Sequence, residues 1–127
     1  MKQYDITNKI TIIIVLYRED YKLLYKTLDK IREFKKILVD NSNNVDLKNK
    51  VEENFKVEKY ILNKKNVGFS AGYNQGVKLC ETEFSFILGP DCIIDTESII
   101  KLYEKLTLNE DCFLTTSTSC LLYTSPS

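Results

Sequence analysis

The chain has 127 residues, 43% apolar and 28% charged, and its 18 Lys plus Arg are balanced by 18 Asp plus Glu. That is the size and make-up of one folded domain, without the net basic field that nucleic acid would demand. Histidine is absent, which removes Ser-His-Asp and Cys-His nucleophile schemes and imidazole-based metal sites and leaves chemistry to carboxylates, amides, hydroxyls, lysines and backbone groups.

Met1 to Lys9 is polar and mixed in charge, unlike the basic start and apolar core of a signal peptide. Ile10 to Tyr17 is the most apolar early run. It is far short of the roughly 20 residues a membrane helix needs, so it reads as a buried strand, and the expected location is the cytoplasm or the cytoplasmic face of a membrane. Tyr21, Leu24, Tyr25, Leu28 and Ile31 recur at helical spacing within a helix expected from about Arg18 to Phe34. Ile37 to Val39 forms a second buried strand ending at Asp40, and Asn41 to Asn44 is a polar loop. Asp46 is the expected cap of a helix reaching about Phe55. Val57 to Leu62 is a third strand, Asn63 to Phe69 a glycine-containing loop, and Ser70 to about Cys80 a helix capped by Ser70. Phe84 to Leu88 is a fourth strand, closed by Gly89-Pro90-Asp91. Asp95 or Thr96 caps a last helix to about Leu106, and Cys112 to Leu114 opens a fifth strand.

Strand-helix alternation with short connections predicts a Rossmann-like α/β domain, a parallel sheet with helices on both faces. Residues 1–114 form that domain. Residues 115–127 are rich in Ser and Thr, uncharged and without a period. They are set aside as a non-native or disordered tail, with the coding sequence expected to be cut short near Phe113. Cys80, Cys92, Cys112 and Cys120 form no C-x-x-C pair, so the plainer reading is four reduced thiols, mostly buried.

Ligands of such sheets bind at the carboxyl ends of the strands, where Tyr17, Asp40, the loop before Ser70 and Asp91 gather. Asn66-Val67-Gly68-Phe69-Ser70-Ala71-Gly72-Tyr73-Asn74-Gln75-Gly76 is neither a G-x-G-x-x-G fingerprint nor a P-loop. Gly68 permits a turn with positive φ, and the free N–H groups of the following helix favour an anion such as a diphosphate. Gly72 and Gly76, one turn apart, allow close approach to a strand or ligand. Asp91 suits a hard divalent ion that also holds phosphate oxygens, and Asp40 suits a ligand N–H or ribose hydroxyl. Each feature alone also has a purely structural reading: packing glycines, a Pro-Asp turn, a capping Asp.

In order, Tyr17, then Val39-Asp40-Asn41-Ser42, then Asn66-x-Gly68-Phe69 with Asn74-x-Gly76, then Leu88-Gly89-Pro90-Asp91 resemble the family 2 glycosyltransferases. The likeness runs over about residues 8–107 and is greatest to rhamnosyltransferase-like members, with their V-x-Y-N, V-D-N-x-S, N-x-G-F-A-x-G-x-N-x-G and L-N-P-D strings. The resemblance implies a GT-A fold and inverting transfer of a sugar from a nucleoside-diphosphate-sugar, UDP- or dTDP-linked, to an acceptor hydroxyl. The acceptor would be a saccharide or lipid-linked molecule, as in cell-surface polysaccharide synthesis. It implies that Tyr17 lies against the base and that Asp40 binds a base N–H. Asn66, Gly68 and Asn74 would shape the nucleotide pocket, and Asp91 would hold Mg or Mn against the diphosphate. Arg18 replaces the usual Asn, Gly89 the first Asp of D-x-D, and Tyr73 an Arg of other branches. The family's general base belongs to a later part of the domain, and no residue here takes that role, which makes the chain a donor-binding fragment by this reading. A non-catalytic nucleotide-binding or interaction module on the same core is the alternative. A receiver-like or flavodoxin-like domain is a third, but it lacks the late-strand Lys that Glu19 and Asp20 would need.

Overall fold

The computed structural model describes residues 6–108, 114–117 and 120–124. Its parallel strands are β1 (Ile10–Leu16), β2 (Lys35–Asp40), β3 (Lys59–Leu62) and β4 (Phe84–Leu88), interleaved with α1 (Tyr21–Asp29), α2 (Val45–Asn54) and α3 (Phe69–Leu79) and followed by α4 (Thr96–Leu108). β5 (Leu114–Ser117) and β6 (Cys120–Thr124) complete, among the described residues, a six-stranded sheet of order β3-β2-β1-β4-β6-β5. β6 runs antiparallel to both β4 and β5. The parallel core is as expected; beyond β4 the sheet continues through two antiparallel strands, drawn from Leu114 and from part of the segment set aside after it. Strand pairing is a backbone interaction, and Thr and Tyr suit it without any apolar period. Of the expected Cys112–Leu114 strand start, Cys112 and Phe113 lie outside the described residues and Leu114 opens β5.

All seven residues of β1 are buried, as a central strand covered on both faces requires. Ile12, Ile14 and Leu16 face a core made with Leu24 and Leu28 of α1, Leu47 and Val51 of α2, and Ile99, Tyr103 and Leu106 of α4. Ile13 and Val15 face the other way and pack with Ile37, Val39, Tyr73 and Val77. This division follows from right-handed crossovers. The chain steps from β1 to β2 to β3 with helices on one face. It then steps back past β1 to β4, and the same handedness puts α3 on the opposite face.

Local chemistry shifts several boundaries. Asp20 accepts from Lys22 N and caps α1, which ends at Asp29, short of the expected Phe34. Asn44, not Asp46, caps α2 by accepting from Leu47 N, and Asp46 sits in the first turn. Asp95 caps α4 through Ser98 N.

Lys36 is the charged exception in the core. It is 1% exposed, and its ammonium donates to the carbonyls of Phe34 at 2.8 Å and of Ile31 and Arg32 at 3.4 Å. Those carbonyls lie in the turns after α1, so the side chain closes the α1–β2 connection. Burial lowers its pKa from 10.5 to about 8, with Glu33 and Glu58 opposing the shift. Between those pH values the unfolded chain holds more protons than the folded one, so this residue's contribution to stability rises with pH across that window. Wild type is expected to gain on Lys36→Met by up to about 3 kcal/mol between pH 7 and the top of that window. Paired urea unfolding curves measure this, and a pH-independent difference would reject it.

Candidate functional site

The strand order reverses between β1 and β4, so the crevice at their carboxyl ends is the topological switch point of the sheet. Tyr17, Arg18 and Glu19 leave β1 there, and Gly89, Pro90 and Asp91 leave β4. Beside it opens a cleft of about 570 Å³ lined by Arg18, Glu19, Ser42, Asn43, Asn44, Val45 and Asp46. Arg18 (φ 53°) and Asn43 (φ 51°) both adopt the left-handed backbone region. Asn tolerates that region well and Arg less so. A conformational reason thus stands behind the Asn usual after the strand-end Tyr, and Arg18 departs from it at some local strain.

Asp40 organises this cleft from beneath. It is fully buried, and both carboxylate oxygens are engaged by the chain itself. Oδ1 accepts from Ser42 N at 2.8 Å and Ser42 Oγ at 2.6 Å, while Oδ2 accepts from Asn44 N at 3.3 Å and the Tyr60 hydroxyl at 3.2 Å. Ser42 Oγ in turn accepts from Arg18 N at 3.2 Å, which ties the end of β1 to the loop after β2. The expectation that Asp40 meets a base N–H directly therefore gives way to an indirect role, because its acceptor positions are spent on shaping residues 42–44. Burial and the Asp40 carboxylate push the Tyr60 hydroxyl well above its usual range, so it remains a donor.

A second network holds the glycine loop. Asn41 Nδ2 donates to Gly68 O at 3.2 Å, and Asn41 Oδ1 accepts from Asn63 Nδ2 at 2.8 Å. Asn63 and Gln75 exchange two amide hydrogen bonds, at 2.8 and 3.0 Å. Asn66 is exposed and its side chain accepts from Gly68 N at 2.9 Å, setting the turn into α3. Gly68, not Ser70, is the N-cap, with φ 88° and ψ 168°, a conformation open essentially to glycine alone. The first turn of α3 thus has no side-chain cap, and its N–H groups are open to an anion. Asn74 lies exposed on α3 one turn further on. Gly72 and Gly76 press α3 against β1: a Cβ on Gly72 would stand 3.0 Å from both Val15 methyl groups, and one on Gly76 would run into the Ile13 side chain. Both glycines therefore face a strand rather than a ligand.

Tyr17 is 38% exposed, with the Arg18 guanidinium 5.1 Å from its ring centroid. Burial pushes the Glu19 carboxyl above its usual range. The charges of Asp91 and Asp40 add to this, against a lowering hydrogen bond from the Tyr17 backbone. Glu19 thus lies within electrostatic reach of both Asp91 and Asp40. Asp91 itself is exposed. Among the described residues no three acidic or thiol side chains gather into a metal site. A divalent ion at Asp91 would draw its remaining oxygens from ligand and water, and one carboxylate plus phosphate oxygens is a donor set that Mg or Mn accepts.

Tyr17, Asp40 and Asp91 follow the strand ends as the sequence predicts. Reading in one dimension misses Glu19, Tyr60, Asn63 and Gln75. Only the V-D-N-S string hinted at Ser42, while the amide pair of Asn63 and Gln75 carries no signature at all.

Residues 11–121 match glycosyl transferase family 2. The chain belongs to that family. Among solved structures, this family 2 domain is similar to the mannosyltransferase PcManGT from Pyrobaculum calidifontis in complex with GDP-Man and Mn2+. The TM-score is 0.76 at 12% identity, over 91% of this chain and 44% of that one. It is also similar to S. aureus TarS 1-349 in complex with UDP-GlcNAc, with a TM-score of 0.64 at 20% identity, over 79% of this chain and 31% of that one. The chain therefore spans less than half the length of these structures, and the likeness shows a shared GT-A fold. No curated protein matches the sequence significantly. Among the described residues, no helix is long and apolar enough to cross a membrane.

Proposed function

We propose that this family 2 domain is the donor-binding part of an inverting glycosyltransferase, which moves a sugar from a nucleoside-diphosphate-sugar to an acceptor hydroxyl. The observation that supports this reading is the cleft lined by Arg18, Glu19 and residues 42–46 beside the carboxyl ends of β1 and β2, next to the switch point of the sheet. In this reading the base and ribose occupy the cleft, with the half-exposed Tyr17 ring against the base. Asp40 acts through Ser42 and Asn44. Asn66, Gly68 and Asn74 place the loop and first turn of α3, whose N–H groups favour the diphosphate.

Asp91 would hold Mg or Mn, which when bound stabilises the charge that grows on the leaving nucleoside diphosphate. The acceptor site and the general base that deprotonates the attacking hydroxyl are assigned to sequence outside these residues. UDP- and dTDP-sugars head the candidate donors, and GDP-Man joins them from the PcManGT likeness.

Calorimetric titration of UDP, dTDP and GDP, each with and without Mn2+, tests the reading. The cation is expected to tighten binding of one nucleotide at least about tenfold, and Asp91→Asn to remove that gain while leaving metal-free binding in place. Binding that ignores Mn2+ would favour the non-catalytic module, and no binding of any nucleotide would sink the proposal.

A further inference from the structure

We infer that Thr27, on α1 and far from Asp91 in sequence, is a positioning residue that fixes the Asp91 turn for cation binding. This rests on the donor-binding reading above. Asp91 follows Gly89-Pro90, and glycine leaves its own backbone the widest conformational choice. Cys92 N donates to Gly89 O at 3.1 Å, which closes the turn locally but does not orient it on the sheet. Two side-chain donors do that from opposite faces. Thr27 is fully buried, and its hydroxyl donates to Pro90 O at 2.8 Å; its bond to Leu23 O within the helix is longer, at 3.3 Å. From the α3 side the half-buried Tyr73 hydroxyl donates to Leu88 O at 2.9 Å. The backbone is thus held on both sides of Gly89, and Asp91 is the next residue out. The buried hydroxyl has an acceptor within its own helix in Leu23 O, yet its shorter bond goes to the carbonyl preceding Asp91.

The test combines amide hydrogen exchange with nucleotide titration on wild type, Thr27→Val, Thr27→Ser and Tyr73→Phe. Valine keeps the shape of threonine and loses only the donor, whereas serine retains it. Thr27→Val is expected to speed exchange at Cys92 and to cut the Mn2+ enhancement of nucleotide affinity about tenfold, with metal-free affinity unchanged and Thr27→Ser restoring both. Tyr73→Phe is expected to act in the same direction, and it serves if Thr27→Val does not fold. An unchanged Cys92 exchange rate overturns the clamp. Faster exchange with the full Mn2+ enhancement overturns the positioning role. Equal loss of metal-free and metal-dependent affinity marks a merely structural residue and overturns it as well. A wild type without any Mn2+ enhancement defeats the metal reading itself, and the inference with it.

Discussion

Asp40→Asn is expected to destabilise the fold by about 2–4 kcal/mol and to abolish nucleotide binding even where the variant stays folded. The carboxylate receives four donors, two from backbone N–H groups and two from hydroxyls, with no exposure to water. An asparagine keeps one acceptor oxygen and turns the other position into a donor. Whichever way the amide is set, donors meet donors in a buried site, and the charge that strengthened every bond is gone. The damage reaches the cleft because Ser42 Oγ relays Asp40 to Arg18 N, so both cleft walls lose their common anchor. Urea unfolding measures the stability loss, and titration at low temperature isolates the binding defect. The pairing also predicts partial recovery: Tyr60→Phe added to Asp40→Asn removes one orphaned donor, so the double variant should lose less than the sum of the single losses. A loss below about 1 kcal/mol with binding intact would show that the loop holds its shape without the carboxylate.

Gly76→Ala is expected to cost about 1–3 kcal/mol net, although alanine favours the helix by nearly 1 kcal/mol. The added methyl would collide with the Ile13 side chain, which is fully buried in the central strand. The helix must then lift, and Gly72 one turn earlier leaves little tolerance, since even there a Cβ would stand 3.0 Å from both Val15 methyl groups. Lifting α3 also moves the Gly68 loop at its start, so nucleotide affinity is expected to fall along with stability. Ile13→Ala removes the colliding methyl. A double variant more stable than additivity allows, read from thermal unfolding, would confirm the contact, and strict additivity would refute it.

Much of this molecule follows from local pattern. The branched run at Ile10–Leu16 reads as a covered strand and the spacing of Tyr21, Leu24 and Leu28 as a helix face, whereas Ile31 keeps the spacing but falls in the turn after α1. Alternation of such elements, with crossover handedness, leads to the parallel core and its crevice. The glycine string was legible as a close-packed helix start, although the choice between strand and ligand as its neighbour was not. A residue's partners across the fold are set by chain reversal in space, and periodicity carries no information about them. The helix caps moved from Asp46 to Asn44, whose side chain accepts from Leu47 N, and from Ser70 to Gly68, where a backbone conformation suited to glycine outranks side-chain capping.

The sequence by itself determined the parallel α/β core, the place of the crevice and the identity of the strand-end residues Tyr17, Asp40 and Asp91, because these depend on short-range spacing. Only the tertiary structure decided that Asp40 turns inward to build a loop, that Glu19 joins the acidic strand ends, that Thr27 reaches Pro90 and that β5 and β6 extend the sheet. Tyr60 reaching Asp40, Asp91 acting on Glu19, Thr27 reaching Pro90 and β6 pairing with β4 all join segments distant in sequence, and folding alone brings such segments together.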